Sequence, residues 1–128
     1  MHDPEVVHIV FNERLPVVIV CLDLTIRQLV TDEVVARIEA VGTGPARFMR
    51  ELMDFFVKAY KDAQGFEYPS VHDSCAVPYF IDLSIITTRK VPVNIELEGA
   101  LTLGTTVPDF CGTAPSSCHT SVAVELDY

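Results

Sequence analysis

An apolar and largely β-branched run, residues 16–22 (PVVIVCL), constrains the fold of this chain more than any other segment. Apolar side chains on both faces are typical of a parallel strand that lies inside a sheet and is covered by helices. The run is much shorter than the roughly 18–20 apolar residues that a membrane-spanning helix needs. The sequence therefore predicts an α/β fold arranged around this strand, and no membrane is expected as a partner.

Capping residues and 3.6-residue periodicity predict the helices. A first helix begins at Asp3-Pro4-Glu5 and runs to about Phe11, and a second begins at Thr31-Asp32-Glu33. The longest helix should cover about residues 45–63; its apolar stripe is expected in the core, and its charged residues are expected to face water. The residues of that stripe are Phe48, Met49, Leu52, Phe55, Phe56, Ala59 and Tyr60.

Strands with one solvent-exposed face are predicted near the C-terminus. Apolar and polar side chains alternate over residues 91–98 and again over residues 121–128, which favours an antiparallel pair near a sheet edge. A further short strand is expected near residues 105–110, inside the Gly/Pro-rich connection 99–120. A length of 128 residues is the usual size of one domain, so a single domain (1–128) is predicted.

The balance of charge and hydropathy restricts the partners. The chain has 18 acidic and 9 basic residues and a formal net charge of −9. This charge repels a phosphate backbone, so a nucleic-acid polymer is not expected as a partner, whereas a cation is suited. Apolar residues make up 49% of the chain and the mean hydropathy is +0.32, which predicts that part of the surface is buried in a homo-oligomer.

The four cysteines, Cys21, Cys75, Cys111 and Cys118, include no C-x-x-C pair. The first five residues are polar and acidic and do not resemble a signal peptide. Together these features favour reduced thiols in a cytoplasmic protein. A zinc site would have only the neighbours Cys118 and His119 to support it.

The segment 69–77 (PSVHDSCAV) places an imidazole, a carboxylate and a thiol within four residues. A structural interpretation makes His72 a loop residue, Asp73 the N-cap of a helix over about residues 75–81, and Cys75 a buried side chain. A second interpretation is a nucleophilic pair of Cys75 and His72, which the apolar surroundings of the thiol disfavour. A third is a hard-cation site in which Asp73 supplies an oxygen ligand and His72 an acid or hydrogen-bond donor. The local residues leave these alternatives open.

Segments spread along the chain resemble the inosine–uridine-preferring nucleoside hydrolase family. Residues 72–82 (HDSCAVPYFID) are similar to the family segment H-D-x-x-A-V-x-Y-x-I-D. Three further segments resemble family segments in the same order along the chain. They are residues 3–11, with the D-P-E stretch and the helix after it, residues 16–25, a strand that ends in LDLT, and residues 91–109 (VPVNIELEGALTLGTTVPD). The resemblance implies the C-terminal portion of an open, mostly parallel sheet with helices on both faces and antiparallel strands near the C-terminus.

The resemblance also implies a reaction and the residues that take part in it. The family cleaves the N-glycosidic bond of ribonucleosides with water and holds one Ca²⁺ in its pocket. By motif, Asp73 is a calcium ligand and His72 is the catalytic histidine that helps the base leave. Negative charge near an oxocarbenium-like transition state and a hydrogen bond to the departing base both lower the barrier. Both residues are expected at the C-terminal end of the parallel strands, where open α/β sheets bind ligands.

The family's aspartate cluster, D-x-D-x-x-x-D-D, and its ribose-binding E-F-N motif have no counterpart here, and no D-x-D occurs in the chain. The cluster supplies the general base and the main calcium ligands of the family. The chain is therefore expected to be a C-terminal segment that by itself neither binds Ca²⁺ nor hydrolyses ribonucleosides. The alternative is a non-catalytic α/β module or remnant that oligomerises through an exposed sheet edge at residues 16–22.

Overall fold

The computed structural model describes residues 3–126. The chain divides into two compact units, one formed by the residues up to Cys21 and from Pro78 onward, and the other by Leu22–Val77. The single domain expected from the chain length stays a prediction. Among the described residues, no helix combines the length and the apolar character that crossing a bilayer requires.

The first unit contains a three-stranded sheet and a separate hairpin. The sheet has the order β1-β5-β2, with β1 at Val17–Ile19, β2 at Ile86–Lys90 and β5 at Thr120–Leu126. β1 and β5 are parallel, whereas β2 and β5 are antiparallel. The hairpin consists of β3 (Val93–Ile95) and β4 (Thr106–Pro108), which pair antiparallel.

Helix α1 (Pro4–Asn12) belongs to this unit and begins as predicted. The Asp3 carboxylate accepts a hydrogen bond from the Val6 N–H at 3.0 Å, and Pro4 occupies the first turn, where a missing N–H leaves nothing unpaired. The core of the unit includes a cluster of buried valines with three partly buried side chains packed against it. Its members are Val91, Val93 and Val122 with Phe11, Ile19 and Cys21.

The apolar run 16–22 forms a shorter strand than its composition predicts. β1 pairs with residues 120–122 of β5, which confirms the parallel pairing. The prediction of a central strand is wrong for the described residues, since within residues 3–126 β1 is an edge strand and the Val18 side chain is 38% exposed. An apolar composition favours burial of both faces of a strand, but it does not determine whether one or two neighbouring strands pair with it.

The predicted antiparallel pairing of residues 91–98 with residues 121–128 is wrong. β5 pairs instead with β2, a strand that the sequence analysis missed. β2 reads ITTRK, and only Ile86 in it is buried, so it lacks the apolar alternation that identifies a strand. Residues 127 and 128 of the predicted last strand lie outside the described residues.

The β3–β4 hairpin contains the short strand that was predicted near residues 105–110. Gly104 has φ +82°, a left-handed conformation that suits glycine, just before β4 begins. The Glu96 carboxylate accepts hydrogen bonds from the N–H groups of Glu98 at 2.8 Å and Gly99 at 3.0 Å. This carboxylate therefore organises the loop that joins the two strands.

The second unit contains α2 (Leu22–Thr25), α3 (Asp32–Ala40) and α4 (Gly44–Gln64). Thr31 caps α3, as predicted, and Thr43 caps α4; each hydroxyl accepts a hydrogen bond from an N–H of the first turn. The expected range of α4, residues 45–63, agrees with the structure to within one residue at each end.

The expectation that the apolar stripe of α4 lies in the core is wrong. Ala46 is the buried residue of the helix, and the Phe48 and Phe55 side chains are 68% and 70% exposed. A 3.6-residue period shows that a helix has an apolar face, but not what covers that face. Among residues 3–126, both rings are left largely exposed.

The apolar segment after His72 folds into two short pieces. Asp73–Cys75 forms a 3₁₀ turn, and α5 spans Val77–Ile81. Pro78 lies in the first turn of α5, where its missing N–H is tolerated. The predicted capping role of Asp73 is wrong, because the residue that precedes the turn is His72 and no side chain caps it.

Candidate active site

Hydrogen bonds hold the segment that precedes His72 in place within the second unit. Two backbone N–H···O=C bonds of 2.9 Å join residues 69–71 to residues 28–30. The Ser70 hydroxyl donates to the Ile26 carbonyl at 2.8 Å. These contacts align the segment with the chain that follows α2, and they bring His72 next to the last residue of that helix.

The His72 imidazole is half-buried and is bonded to one side chain. Its Nδ1 lies 2.9 Å from the Oγ1 of Thr25, the last residue of α2. Thr25 is only 3% exposed. Within residues 3–126, no hydrogen bond involves the Nε2 of His72. One ring nitrogen is therefore fixed by the protein, and the other is available to a ligand.

A cavity of about 540 Å³ lies beside His72 in the same unit. Its volume falls within the roughly 300–1,000 Å³ of small-molecule sites. Its walls are mainly apolar and aromatic, with a few hydrogen-bonding groups; they include Leu22, Ile26, Tyr60, Phe66, Tyr68 and Ser70. A flat ligand with an apolar face and one or two polar edge atoms fits such a cavity.

Tyr68 lines this cavity, and another side chain accepts its hydroxyl proton. Its hydroxyl donates to the Asp32 carboxylate at 3.3 Å. The negative charge of Asp32 raises the pKa of the Tyr68 phenol above its ordinary value. The phenol therefore stays protonated at neutral pH and does not act as a base.

Asp73 is exposed, and within residues 3–126 its carboxylate takes part in no hydrogen bond or ion pair. The described part of the chain contains no group of three or more His, Cys, Asp or Glu side chains that could hold a metal ion. Because Ca²⁺ takes about 6–8 oxygen ligands, these residues do not fit a complete calcium site. Asp73 offers one ligand at most, and the expected position of His72 and Asp73 at the end of the parallel strands stays a prediction.

Cys75 is buried and protonated. Its side chain is 5% exposed, and its thiol donates to the Val71 carbonyl at 3.0 Å. Burial raises the pKa of the Cys75 thiol, which disfavours the nucleophilic thiolate. The structural interpretation therefore holds for this residue, and the nucleophilic pair with His72 gains no support.

The neighbours Cys118 and His119 lie in the first unit. The His119 Nε2 is 2.8 Å from the Phe11 carbonyl oxygen, and the Cys118 thiol lies 3.5 Å from the Thr120 carbonyl oxygen. Backbone contacts therefore engage both side chains, and neither belongs to a group of metal ligands in the described part of the chain.

Sequence reasoning missed two residues of the candidate site. Thr25 was noticed only as part of the LDLT stretch, and its contact with His72 joins residues 47 positions apart. Tyr60 was assigned to the apolar stripe of α4, whereas the structure places it in the cavity wall. No local pattern signals the first contact, because it depends on the pairing of residues 69–71 with residues 28–30.

Comparison with known proteins gives the family of the chain. The family model for the inosine-uridine preferring nucleoside hydrolase matches residues 1–128. Over 126 residues, the chain is 52% identical to the inosine-uridine preferring nucleoside hydrolases of Crithidia fasciculata and Leishmania major. It is 33% identical to the pyrimidine-specific ribonucleoside hydrolase RihA of Escherichia coli O9:H4. Each match covers 98% of this chain and 40% of the relative, so the chain spans well under half the length of these proteins.

Solved structures give the same result for the fold. The chain matches a purine-preferring ribonucleoside hydrolase from Gardnerella vaginalis with a TM-score of 0.78 and 28% identity, over 97% of this chain and 39% of that one. A plant nucleoside hydrolase matches with the same TM-score, 0.78, at 18% identity, which shows the fold alone. The predicted α/β class is confirmed, and the chain belongs to the inosine-uridine preferring nucleoside hydrolase family.

Proposed function

We propose that this chain forms the part of a ribonucleoside hydrolase that holds and activates the leaving base. The observation that carries the proposal is the His72 imidazole, fixed through Nδ1 by Thr25 at the wall of an aromatic cavity, with Nε2 unengaged by the described residues. Family membership supports hydrolysis as the reaction class. The names of the relatives specify inosine-uridine, pyrimidine and purine preferences, which supports ribonucleosides as the substrate class.

The chemistry explains why a histidine belongs at this place. When the bond between the ribose C1′ and the base nitrogen breaks, its electron pair stays on the base. The oxygen of a water molecule bonds to C1′ and loses one proton, and the base gains one, so that nucleoside and water give ribose and free base. A hydrogen bond or proton from the His72 Nε2 stabilises the charge that develops on the base. Help of this kind contributes about 10²–10⁴-fold to the rate.

The cavity walls suit the base. Tyr60 and Phe66 present aromatic side chains beside His72. A planar heterocycle gains offset-stacked or edge-to-face contacts with such rings, and the apolar surroundings strengthen the hydrogen bond from His72 by excluding water.

Calcium enters the proposal only for the complete enzyme. Asp73 would supply one oxygen ligand, and the remaining ligands would come from a part of the enzyme other than residues 3–126. Such an ion would supply positive charge that orients the ribose and makes the attacking water easier to deprotonate. The role proposed for His72 does not depend on the ion.

The experiment compares residues 1–128 alone with the same residues joined to an N-terminal family segment that carries D-x-D-x-x-x-D-D and E-F-N. We expect the joined protein to release free base from inosine or uridine, and we expect residues 1–128 alone to release none, with or without added Ca²⁺. In the joined protein, Asp73→Ala should weaken Ca²⁺ binding and nearly abolish turnover. Without the aspartates, the contribution of His72 alone falls far short of the roughly 10⁶-fold or more of an enzyme.

A matched control is His8→Ala. His8 lies on α1, where its Nε2 is 2.9 Å from the Asn12 side-chain nitrogen, and it should not affect turnover. Robust hydrolysis by residues 1–128 alone, unchanged by His72→Ala and Asp73→Ala, would contradict the proposed roles.

The exposed stripe of α4 favours a second candidate function, a non-catalytic module that oligomerises. Phe48 and Phe55 are largely exposed. Burial of aromatic side chains contributes a large favourable free energy, so an exposed pair favours association with another surface. The same pair of proteins distinguishes the two functions. A module of this kind would self-associate in both forms and release no base in either form.

A further inference from the structure

Two threonines are equally buried, but their hydroxyl groups have different partners. Thr25 and Thr120 are each 3% exposed. The Thr120 hydroxyl donates to a backbone carbonyl, that of Val91, whereas the Thr25 hydroxyl meets the imidazole of His72. A buried group at one nitrogen of an imidazole decides which of the two nitrogens carries the proton. Thr25 is therefore positioned to control the chemistry of His72.

The direction of the hydrogen bond follows from the acceptors near the Thr25 hydroxyl. This group has one proton to donate and lies 3.4 Å from the Leu22 carbonyl oxygen and 2.9 Å from the His72 Nδ1. The Leu22 carbonyl already accepts the Ile26 N–H at 2.9 Å. If Nδ1 carried the ring proton, it would donate to the hydroxyl, and the hydroxyl would have to donate to the Leu22 carbonyl across 3.4 Å, which is longer than the roughly 2.5–3.0 Å of a good O–H···O bond. Donation to Nδ1 uses the shorter contact of 2.9 Å and leaves the Leu22 carbonyl with its N–H partner. The hydroxyl proton therefore goes to Nδ1.

We infer that Thr25 is a positioning residue that donates its hydroxyl proton to the His72 Nδ1 and so holds the neutral imidazole in the Nε2–H tautomer. The nitrogen that no described residue occupies then carries a hydrogen-bond donor. This inference rests on the proposed function, because a donor on Nε2 is useful to a base that gains negative charge as it leaves. In the opposite tautomer, the Nε2 lone pair would repel the electron pair that develops on the departing nitrogen.

Thr25→Val tests the inference because valine keeps the shape of threonine and removes the hydroxyl. Thr25→Ser restores the hydroxyl on a smaller side chain. Thr120→Val is the matched control, since it removes an equally buried hydroxyl that bonds to the backbone. If Thr25→Val does not fold, Thr25→Ala serves the same purpose.

The main measurement is the nitrogen NMR spectrum of ¹⁵N-histidine in residues 1–128 and in the joined protein, near pH 8, where most imidazoles are neutral. His72→Gln assigns the His72 signals. We expect the wild type, Thr25→Ser and Thr120→Val to show a protonated Nε2 and an unprotonated Nδ1. Thr25→Val should show a mixture of the two tautomers. A wild-type protein with the proton on Nδ1, or a Thr25→Val spectrum identical to that of the wild type, would overturn the inference.

Kinetics provide a second readout in the protein that releases base. Thr25→Val should lower kcat for inosine by about 10- to 100-fold, within the range of general acid help, and change KM much less. Thr25→Ser should recover most of that loss, which a merely structural defect would not predict. The expected tautomers together with a joined protein that hydrolyses no nucleoside would support the Thr25–His72 contact and contradict the proposed function, so the two failures are distinguishable.

Discussion

Neighbouring side chains of the segment 72–75 have different surroundings, and these decide what each can do. The imidazole of His72 is fixed at one nitrogen, the carboxylate of Asp73 is exposed, and the thiol of Cys75 is buried against a backbone carbonyl. The order H-D-x-C in the sequence suggests one reactive cluster. The structure separates it into a hydrogen-bonding group, a candidate metal ligand and a packing residue.

The burial of Cys75 predicts slow alkylation. Burial raises the pKa of the Cys75 thiol, which makes its reactive thiolate scarce, and it also shields the sulfur from the reagent, whereas Cys111 is exposed. Iodoacetamide should therefore modify Cys111 at least about tenfold faster than Cys75, as followed by peptide mass spectrometry. In denaturant, both cysteines should react at similar rates. Equal rates in the native protein would show that the thiol is accessible and reactive.

Helix bounds could be predicted from the sequence because caps act over three or four residues. Asp3 and Thr31 each bond to an N–H three residues ahead, and both helices begin where these residues indicate. Strand partners could not be predicted in this way. β2 lies about thirty residues before β5 in the sequence, and its pairing depends on that distant segment and not on its own composition.

The loop of the β3–β4 hairpin predicts a pH-dependent stability. Hydrogen bonds from the N–H groups of Glu98 and Gly99 lower the pKa of the Glu96 carboxyl below its ordinary value. Glu96 therefore stabilises the folded state above its unfolded pKa, and this contribution is lost as the pH falls through the lower, folded-state pKa.

Glu96→Gln should lower Tm by a few degrees at most at pH 7, and the difference from the wild type should disappear in acid, once the pH lies well below the lowered pKa of Glu96. Glu98→Gln is the matched control, because in the described chain the Glu98 carboxylate accepts no hydrogen bond. Thermal melts across the pH range provide the measurement. A Glu96→Gln difference that grows as the pH falls would have the wrong sign and would contradict this function of the carboxylate.

At the scale of the whole molecule, large apolar side chains remain in contact with water. Phe80 is 88% exposed and Leu101 is fully exposed, in addition to Phe48 and Phe55 of α4. At about 25 cal/mol per Å², a few hundred Å² of such surface corresponds to several kcal/mol of available association energy. Periodicity predicted the apolar faces but not their exposure, because the period of a helix does not show whether anything packs against its apolar face.

Residues 1–128 by themselves should therefore form dimers or larger assemblies at high concentration. Replacing Phe48 and Phe55 together by serine should shift the equilibrium toward the monomer, whereas Leu101→Ser, a single exposed residue between β3 and β4, should shift it less. Size-exclusion chromatography with light scattering measures the mass. A wild-type chain that stays monomeric at the highest attainable concentration would show that these faces do not associate.

The family and the fold could be predicted from motifs because the four resembling segments occur in family order along the chain. The local motif around His72 suggested the role that we propose for it, but not its partner Thr25, since that contact joins residues 47 positions apart. The role that we propose for His72 is chemical: its imidazole assists the departure of a poor leaving group.

The most direct test compares leaving groups in the joined, active protein. His72→Ala should slow base release from inosine by about 10²–10⁴-fold. It should slow only slightly the hydrolysis of a synthetic riboside whose nitrophenolate departs without a proton. Equal losses on both substrates, or no loss on inosine, would contradict the role of His72 in leaving-group activation.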